Sequence, residues 1–390
     1  MGATGPAGHH AAGPRGADVV VVGAGIHGCS TALFLARLGA SVLVLEKDHC
    51  ARHASGVNAG GVRQLIRHAA EIPLSILSMG LWERITELTG DDCGFESHGQ
   101  VLVAECDEEL EAMRERVADL QRCGFTHEEL VDRRELKALV PAVADHCPGG
   151  IVSRRDGAAM PFRSTQAICR AAQRAGARLL EGVAVNGLKR QADRWLVSTS
   201  AGEFSAPVVV NAAGAWADRL AAAVGEPVPL EPIAPMLMIT SRVPAFIQPV
   251  VILRSRKLSF KQFANGTVMI GGGHLAALDR DRNHTQIDWR KLQESARTVW
   301  ELFPVMRGAT IVRAWAGIEG RLVDDLPVVG ASRTAPGFFH QFGFSAHGFQ
   351  LGPGTGQAMA ELITTGRSPV PIDGLDVGRF ARGRRAQPPV

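Results

Sequence analysis

The chain has 390 residues, of which 46% are hydrophobic and 21% are charged, and its formal net charge is +3. This composition indicates a soluble globular protein of two or three domains and argues against a dedicated nucleic-acid-binding or polybasic membrane-surface protein. Tyrosine is absent, which excludes any mechanism that needs a tyrosine acid or base. The seven cysteines are scattered without a CxxC pair. We therefore expect most of them to be buried, no disulfide framework or zinc site, and a reducing, cytoplasmic location.

The N-terminal segment has neither a secretory signal nor a membrane span in its pattern. Residues 1–17 are mostly small and contain no apolar run, so we expect a flexible tail there. The most apolar stretch, 19–45, is interrupted by several glycines, by His27 and by Arg37. These interruptions argue against a segment that crosses a membrane.

The first fifty residues have the pattern of a complete βαβ unit. Val19–Val22 predicts a buried parallel strand, and a GxGxxG sequence follows at 23–28. We expect a helix over 29–39 and a second strand over 41–45, which ends at Glu46. Such glycines let backbone N–H groups approach a pyrophosphate at a helix N-terminus, and the terminal acid binds ribose hydroxyls. The unit therefore predicts a dinucleotide site but does not distinguish NAD from FAD.

The remaining elements follow in chain order, and most are short. We expect a loop over 50–63, helices over 71–89, 107–122, 132–140, 164–176 and 287–302, and a last helix that ends near residue 365. We expect strands over 95–104, 150–153, 178–181, 183–188, 195–199, 207–211, 249–254, 258–264, 267–271, 311–318, 327–330 and 338–342. Elements typical of a parallel sheet occur at the start, middle and end, with antiparallel material between them. This order predicts one discontinuous nucleotide-binding domain with a second, mostly antiparallel domain inserted in it.

Three segments together resemble a known family. They are VVVVGAGIHGCSTALFLARLGASVLVLEKD (19–48), VVVNAAGAWADRL (208–220) and FGFSAHGFQLGPGTGQAMAELI (342–363). A fourth, WAGIEGRLVDDLPVVG (315–330), is similar to the family's segment of shape WxGxRPxTPDxxPxIG. The family is that of the D-amino-acid-oxidase-like FAD oxidoreductases. It includes glycine and sarcosine oxidases and β subunits of heteromeric sarcosine, opine and proline oxidising enzymes.

The resemblance implies an α/β or α+β fold with two parts. A Rossmann-like FAD-binding domain would comprise 18–90, 145–222 and 318–368. A mainly antiparallel substrate-binding domain would comprise 91–144 and 223–317, and 369–390 would form a second tail.

The resemblance also implies an extended FAD, which we expect to be noncovalent because no cysteine lies between Arg321 and Pro327. The residues expected to bind it are Gly23, Ala24, Gly25, Ile26 and Gly28 at the pyrophosphate; Glu46 and Lys47 at the ribose; Val183 at the adenine; Ala54, Ser55, Gly60 and Gly61 along the passage to the flavin; Ala213, Gly214 and Trp216 beside the dinucleotide; and Gly343, Gly348, Phe349 and Gln350 along the ring. Backbone N–H groups of that last loop, and a helix expected to begin near Gly352, would stabilise negative charge on the reduced ring.

The family's substrates imply four residues for the reaction itself. Arg63 and Arg67, in GGVRQLIRHA, would bind the substrate carboxylate, and His347 and Gln350 would lie beside the flavin. Gln350 replaces a lysine of the monomeric sarcosine oxidases, which leaves the source of carboxylate binding open.

A second departure from those enzymes concerns oxygen, because Met269 replaces a lysine associated with its activation. We expect Lys257 and Lys261 at the surface. Arg254 and Arg256 are secondary candidates for binding the carboxylate.

The predicted function is oxidation of the C–N bond of an amino acid or N-substituted amino acid, by hydride transfer to flavin N5. The imine product would hydrolyse to an oxo acid or aldehyde. The electron acceptor would be oxygen or a partner subunit in a hetero-oligomer, with no nucleic-acid partner. Two alternatives stay open: an FAD-dependent 2-hydroxy acid dehydrogenase, and a non-catalytic flavin-bearing subunit of a larger complex.

Overall fold

The structure is a computed structural model that describes residues 15–253 and 255–380. Its helices are α1 (Ile26–Arg37), α2 (Ala54–Val57), α3 (Ile72–Trp82), α4 (Ile85–Thr89), α5 (Asp107–Arg122), α6 (Arg133–Leu139), α7 (Pro161–Arg174), α8 (Ala217–Ala223), α9 (Trp289–Leu302) and α10 (Gly348–Thr365). Its strands are β1 (Val19–Val22), β2 (Val42–Leu45), β3 (Gly61–Val62), β4 (Gln100–Ala104), β5 (Glu129–Asp132), β6 (Gly149–Ser153), β7 (Gly157–Ala158), β8 (Arg178–Leu180), β9 (Val185–Gln191), β10 (Arg194–Thr199), β11 (Gly202–Ala206), β12 (Val208–Asn211), β13 (Leu230–Ile233), β14 (Met236–Thr240), β15 (Val250–Leu253), β16 (Ser259–Gln262), β17 (Val268–Gly271), β18 (Ala277–Asp279), β19 (His284–Gln286), β20 (Ile311–Ala316), β21 (Glu319–Leu322), β22 (Val328–Ala331) and β23 (Phe338–Phe342).

A six-stranded sheet with the order β22-β23-β12-β1-β2-β8 forms one layer of the molecule. Its strands are parallel except at β22, which pairs antiparallel to β23. Helices α1, α7 and α10 supply much of the core on one face, and Trp195, Val197 and Phe204 of the β9–β11 sheet cover the other face. Because both faces are covered, β1 and β2 are continuous apolar runs with every residue buried.

A second sheet has eight strands in the order β20-β14-β17-β16-β15-β4-β6-β5. Its pairings are antiparallel except between β15 and β4. Helix α9 packs on it through Leu292, Val299 and Leu302. The Phe260 ring of β16 stacks on Phe303, just beyond that helix, with 4.5 Å between ring centroids. This sheet therefore has its own hydrophobic core.

Several predicted elements differ from the observed ones. The helix expected over 71–89 is divided into α3 and α4, since Arg84 leaves the helical conformation (φ −113°, ψ 26°) while the apolar pattern continues across the break. The last helix begins at Gly348, one turn earlier than expected. Strand β6 belongs to the eight-stranded sheet, although 145–222 was predicted to be FAD-binding. All five β6 residues are buried, and such a run fits either sheet. The predicted domain boundaries, 145–222 included, stay predictions.

The cysteines follow the expectation of burial in most cases. Five of the seven are buried, and all seven are free. The thiols of Cys29, Cys50 and Cys169, which are distant in sequence, lie within 4.8 Å of one another between α1 and α7. Across 15–253 and 255–380, no helix combines the length and apolar character that crossing a membrane requires.

Candidate active site

A cleft of about 800 Å³ lies between the two sheets, beyond the carboxyl ends of β1, β2 and β12. In parallel α/β sheets this edge is where ligands bind. We call the part lined by 23–26, Glu46, Lys47 and Trp216 the dinucleotide end. We call the part lined by Arg63, 317–320 and 343–349 the ring end. The predicted cofactor and reaction residues that line the cleft are Gly23, Ala24, Gly25, Ile26, Glu46, Lys47, Ala54, Ser55, Gly60, Gly61, Arg63, Val183, Ala213, Gly214, Trp216, Gly343, His347, Gly348 and Phe349.

The turn after β1 leaves no room for side chains. Gly23 has φ +108°, and a Cβ built on it would lie 2.4 Å from the carbonyl oxygen of Ala212. Helix α1 begins three residues later with no side-chain N-cap. The Ile26 N–H instead donates to Ser55 Oγ at 2.9 Å, which ties the start of α1 to the loop around α2. A close backbone turn at a helix N-terminus is a geometry that suits a phosphate group.

Glu46 holds this turn in place from the end of β2. Its Oε2 accepts the N–H of Ala24 at 2.8 Å, and its Oε1 accepts the N–H of Asp48 at 2.9 Å. Burial raises the pKa of this carboxyl. Beside it, Lys47 Nζ lies 3.6 Å from the ring centroid of Trp216. The acid predicted to bind ribose therefore also shapes the glycine turn.

At the ring end, the segment 343–349 forms a tight approach to α10. Ser345 and Ala346 have positive φ angles of 49° and 67°. A Cβ on Gly348 would lie 2.3 Å from the Cβ of Phe344, so only glycine fits there. Helix α10 begins at Gly348 without a side-chain cap. Its first-turn N–H groups favour negative charge at this end of the cleft.

Arg63 lines the ring end with a guanidinium group whose hydrogen-bond donors are only partly used. Its Nη1 donates to the carbonyl oxygen of Leu65 at 2.6 Å. The other guanidinium N–H groups have no acceptor among residues 15–253 and 255–380. Burial lowers its pKa from the usual arginine value. A guanidinium with unused donors in a cleft suits bidentate binding of a carboxylate.

Arg67 and Gln350, in contrast, lie behind the cleft wall and do not line it. Arg67 is 1% exposed and donates to the carbonyl oxygens of Arg63 (3.0 Å) and His347 (2.9 Å) and to Gln350 Oε1 (3.1 Å). The Gln350 amide also donates to the carbonyl oxygen of Ser75 at 2.9 Å. Their polar groups are therefore already bonded within the protein. The geometry gives Arg67 a positioning task, since it joins the backbone of Arg63 to that of His347.

His347 connects the ring end to a buried acid. Its Nε2 lies 2.9 Å from Glu71 Oε1 and its Nδ1 lies 2.8 Å from the carbonyl oxygen of Ser345. Both partners are acceptors, so both hydrogen bonds form together only when each ring nitrogen carries a proton. Burial alone would raise the pKa of Glu71, but His347, Arg67 and Arg63 lower it to about 2. The pair places a histidine side chain and a buried carboxylate under the glycine-rich loop.

The family model described as "FAD dependent oxidoreductase" matches residues 18–362. The chain belongs to this family. The match confirms the predicted family, the fold class and FAD as the cofactor.

The chain is similar to several amine-oxidising proteins along nearly all of its length. It is 28% identical to human sarcosine dehydrogenase, with 94% of this chain and 42% of that protein covered. It is 26% identical to the sarcosine oxidase β subunit of Rhodobacter capsulatus, with 94% and 89% covered. The solved L-proline dehydrogenase of P. horikoshii is 28% identical with a TM-score of 0.89, and 95% of this chain and 99% of that chain are covered. The chain thus spans less than half of the human relative.

The cleft fits the family's FAD at both ends. At the dinucleotide end, Gly23 lets the turn pack against the backbone of Ala212, and Glu46 keeps the turn in that shape, so a pyrophosphate could lie at the start of α1. At the ring end, Gly348 lets the start of α10 pack against Phe344, which holds the loop 343–349 along the cleft lining. Gly28 lies outside the cleft lining, and it packs α1 so closely that a Cβ there would lie 2.0 Å from the carbonyl oxygen of Gly23.

Of the four lysines and arginines between 254 and 261, Lys261 differs from expectation. Lys261 is 6% exposed, and burial lowers its pKa to about 8, so the expected surface position is wrong. It lies directly opposite Met269 in the β16–β17 pair, and its Nζ would be 3.1 Å from a Cβ on Gly60. Lys257 is exposed, as expected. Arg256 is paired with Glu105 and Glu301. Arg254 lies outside the described residues.

Glu319 is a site residue that the sequence reasoning missed. It lines the cleft, and its Oε1 is buried without a hydrogen-bond partner in the described chain. Burial raises its pKa to about 7. The sequence WAGIEG does mark this position, because Glu319 stands where the family's shape WxGxRP has arginine.

Proposed function

We propose that this protein oxidises the C–N bond of an amino acid or an N-substituted amino acid, with FAD as the oxidant. The single observation that carries the proposal is the Arg63 guanidinium, which lines the ring end with unused donors. The similarity to sarcosine- and proline-oxidising proteins supports this substrate class.

Arg63 would bind the substrate carboxylate through paired N–H···O hydrogen bonds, which fixes both the position and the rotation of the α carbon. Arg67 would hold Arg63 for this task through the Arg63 carbonyl oxygen, which accepts its Nε and Nη2 at 3.2 and 3.0 Å. FAD, when bound, supplies the acceptor for the hydride that leaves the α carbon. No strong protein base is needed once the amine is neutral, so orientation is the main contribution of the chain.

The loop 343–349 would stabilise negative charge where it develops. The N-terminus of α10 carries a partial positive charge that favours negative charge at this end of the cleft. Glu71 Oε1 lies 2.9 Å from His347 Nε2 and holds that ring in place beneath the loop. The buried walls exclude water from the imine that forms, which would hydrolyse after release.

The electron acceptor is oxygen or a partner subunit. Similarity to a β subunit of sarcosine oxidase supports a hetero-oligomer. The buried Lys261, whose Nζ would lie 3.1 Å from a Cβ on the cleft-lining Gly60, supplies a cation close to the cleft wall that would favour oxygen reactivity despite Met269. A cytoplasmic location belongs to this proposal and is supported by seven free cysteines.

An anaerobic flavin-reduction screen tests the proposal. Glycine, sarcosine, proline, D-amino acids and opines are mixed with the flavin-loaded protein beside their 2-hydroxy acid counterparts, and the loss of flavin absorbance is recorded. We expect at least one amine to bleach the flavin. Bleaching by hydroxy acids alone favours the 2-hydroxy acid alternative, and no bleaching favours a non-catalytic subunit. Oxygen is then admitted, and the rate at which the flavin absorbance returns shows whether oxygen is the electron acceptor.

A further inference from the structure

Glu319 lies where the paired strands β13 and β21 meet the ring end. It is the first residue of β21 and pairs with Ile233 of β13, and the preceding turn is held by a 2.8 Å hydrogen bond from Trp315 Nε1 to the carbonyl oxygen of Val57. Pro235, Met236 and Ile318 line the same cleft and are apolar. The carboxylate therefore sits among apolar groups at the part of the cleft opposite the dinucleotide end.

Glu319 differs from the buried acids of the described chain because its Oε1, which is enclosed although the residue as a whole is half-buried, has no donor. Each of the others has identified partners: Glu46 accepts two backbone N–H groups, Glu71 faces His347, Glu128 pairs with Arg116, Asp156 accepts the N–H groups of Gln64 and Leu65, and Glu226 faces His340. A buried polar atom without a partner is costly, and such atoms are rare in folded proteins. An acid left in this state inside a ligand cleft indicates that the ligand supplies the donor.

We propose that Glu319 binds the cationic nitrogen of the substrate while Arg63 binds its carboxylate. This inference rests on the proposed function and adds the charge that the substrate carries as it binds, before the amine becomes neutral for hydride transfer. Two charges of opposite sign on the lining of one cleft match a zwitterion, and fixing both of its ends orients the C–H bond between them.

The same pairing gives selectivity against neutral analogues. A 2-hydroxy acid or an ether acid retains the carboxylate but brings no positive charge, so it leaves the Glu319 carboxylate buried and unpaired. Sites built to pair a substrate group reject analogues that lack it more strongly than apolar sites do. Glu319 is thus a specificity-determining residue for amines over hydroxy acids.

The test compares ligands that differ only in the charged nitrogen. Sarcosine is paired with methoxyacetate, and proline with tetrahydro-2-furoate. The amine concentration that gives half-maximal anaerobic flavin reduction measures the affinity for each amine. The inhibition constant of each ether against that amine measures the affinity for the ether. We expect the wild-type protein to prefer the amine in at least one pair, and Glu319→Gln to reduce that preference at least ~10-fold. Glu319→Asp, which keeps the charge, should restore part of it.

Glu231→Gln is the matched control, because Glu231 is exposed on the neighbouring strand β13 and pairs with Arg321. It should leave the amine preference unchanged. A second readout needs no variant. Because burial alone raises the pKa of Glu319 to about 7, amine affinity in the wild-type protein should increase as pH rises through that value. This pH dependence should be absent in Glu319→Gln.

The outcomes separate this inference from the proposed function. If an amine bleaches the flavin equally well in the wild-type and Glu319→Gln proteins, with equal half-saturation, the proposed function stands and the role of Glu319 is overturned. The absence of any amine-over-ether preference in the wild-type protein overturns it as well. If only hydroxy acids bleach the flavin, the proposed function itself fails.

Discussion

The two ends of the cleft are built from different kinds of sequence. The dinucleotide end comes largely from the continuous segment 19–48, in which a strand, a turn, a helix and a second strand follow one another. The ring end brings together Arg63, 317–320 and 343–349, which are far apart along the chain. The first end depends on local backbone geometry, whereas the second depends on how the two sheets pack.

The ends also differ in what they use for binding. The dinucleotide end relies on backbone groups and on glycines that admit no side chain. The ring end relies on ionisable side chains that are partly or fully buried: Arg63, Glu71, Glu319 and His347. Changes at the first should therefore release the cofactor, and changes at the second should alter the reaction while the cofactor stays bound.

The largest effect is expected at Gly23. In Gly23→Ala, the new Cβ would lie 2.4 Å from the carbonyl oxygen of Ala212, at a φ of +108°. Overpacking of this kind costs about 1–3 kcal/mol, and the left-handed backbone adds about 1 kcal/mol. We expect the purified protein to lose most of its flavin absorbance. Gly39→Ala is the control, since Gly39 has φ +88° but no atom within 4 Å of its Cβ position; it should keep its flavin. A fully yellow Gly23→Ala protein would contradict the close approach.

The next effect is expected at Arg63. Arg63→Ala removes a charge-assisted pair of hydrogen bonds to the substrate, so the half-saturating concentration should rise roughly 100-fold while flavin content is unchanged. Arg52→Ala is the control, because Arg52 also lines the cleft but is exposed near the dinucleotide end. Steady-state kinetics with the best substrate give the half-saturating concentration for each of the two variants. Equal changes in the two variants would show that Arg63 has no special role.

Glu71 should make stability depend on pH. Its pKa falls from 4.5 to about 2 in the folded protein, which corresponds to roughly 3 kcal/mol of stabilisation. This contribution is complete above pH 4.5 and is lost as pH falls through 2. Urea unfolding should show Glu71→Gln less stable than wild type at pH 7, with a smaller gap at pH 3.5. Glu83→Gln, at an exposed ion pair with Arg155, should cost less than about 1 kcal/mol at either pH.

The smallest effect concerns Lys261. Its Nζ is a buried cation beside Gly60, so Lys261→Met should slow recolouring of the reduced flavin by oxygen roughly 10-fold. Because its pKa is about 8, the wild-type rate should also decrease above that pH. Stopped-flow mixing with oxygen measures the rate, and the exposed Lys257→Met serves as control. An unchanged rate would point to a partner subunit as the acceptor.

The contrast between the two ends explains what sequence could predict. The turn at Gly23 and the acid at Glu46 follow from local pattern, and both lie where that pattern places them. The sequence offers both Arg63 and Arg67 as carboxylate candidates and favours Arg67, but in the fold Arg67 donates to Gln350 of α10 and lies behind the cleft wall, while Arg63 lines the cleft.

Two other residues depend wholly on tertiary packing. The enclosed Oε1 of Glu319 lacks a partner because of how the chain folds around it, which no single stretch of sequence reveals. Lys261 reads as an ordinary exposed strand lysine until the fold covers it.

The long separation in sequence between the glycine turn at 23–28 and the segment 343–349 sets an order of events during synthesis. The turn leaves the ribosome early, but the wall beside the ring is completed only by residues that are made much later. Until then Glu71 lacks His347, and the faces of α1 and α3 that pack on α10 are open to water. Cofactor capture must therefore wait for this second segment, and a chain interrupted before it would expose apolar surface and retain no flavin.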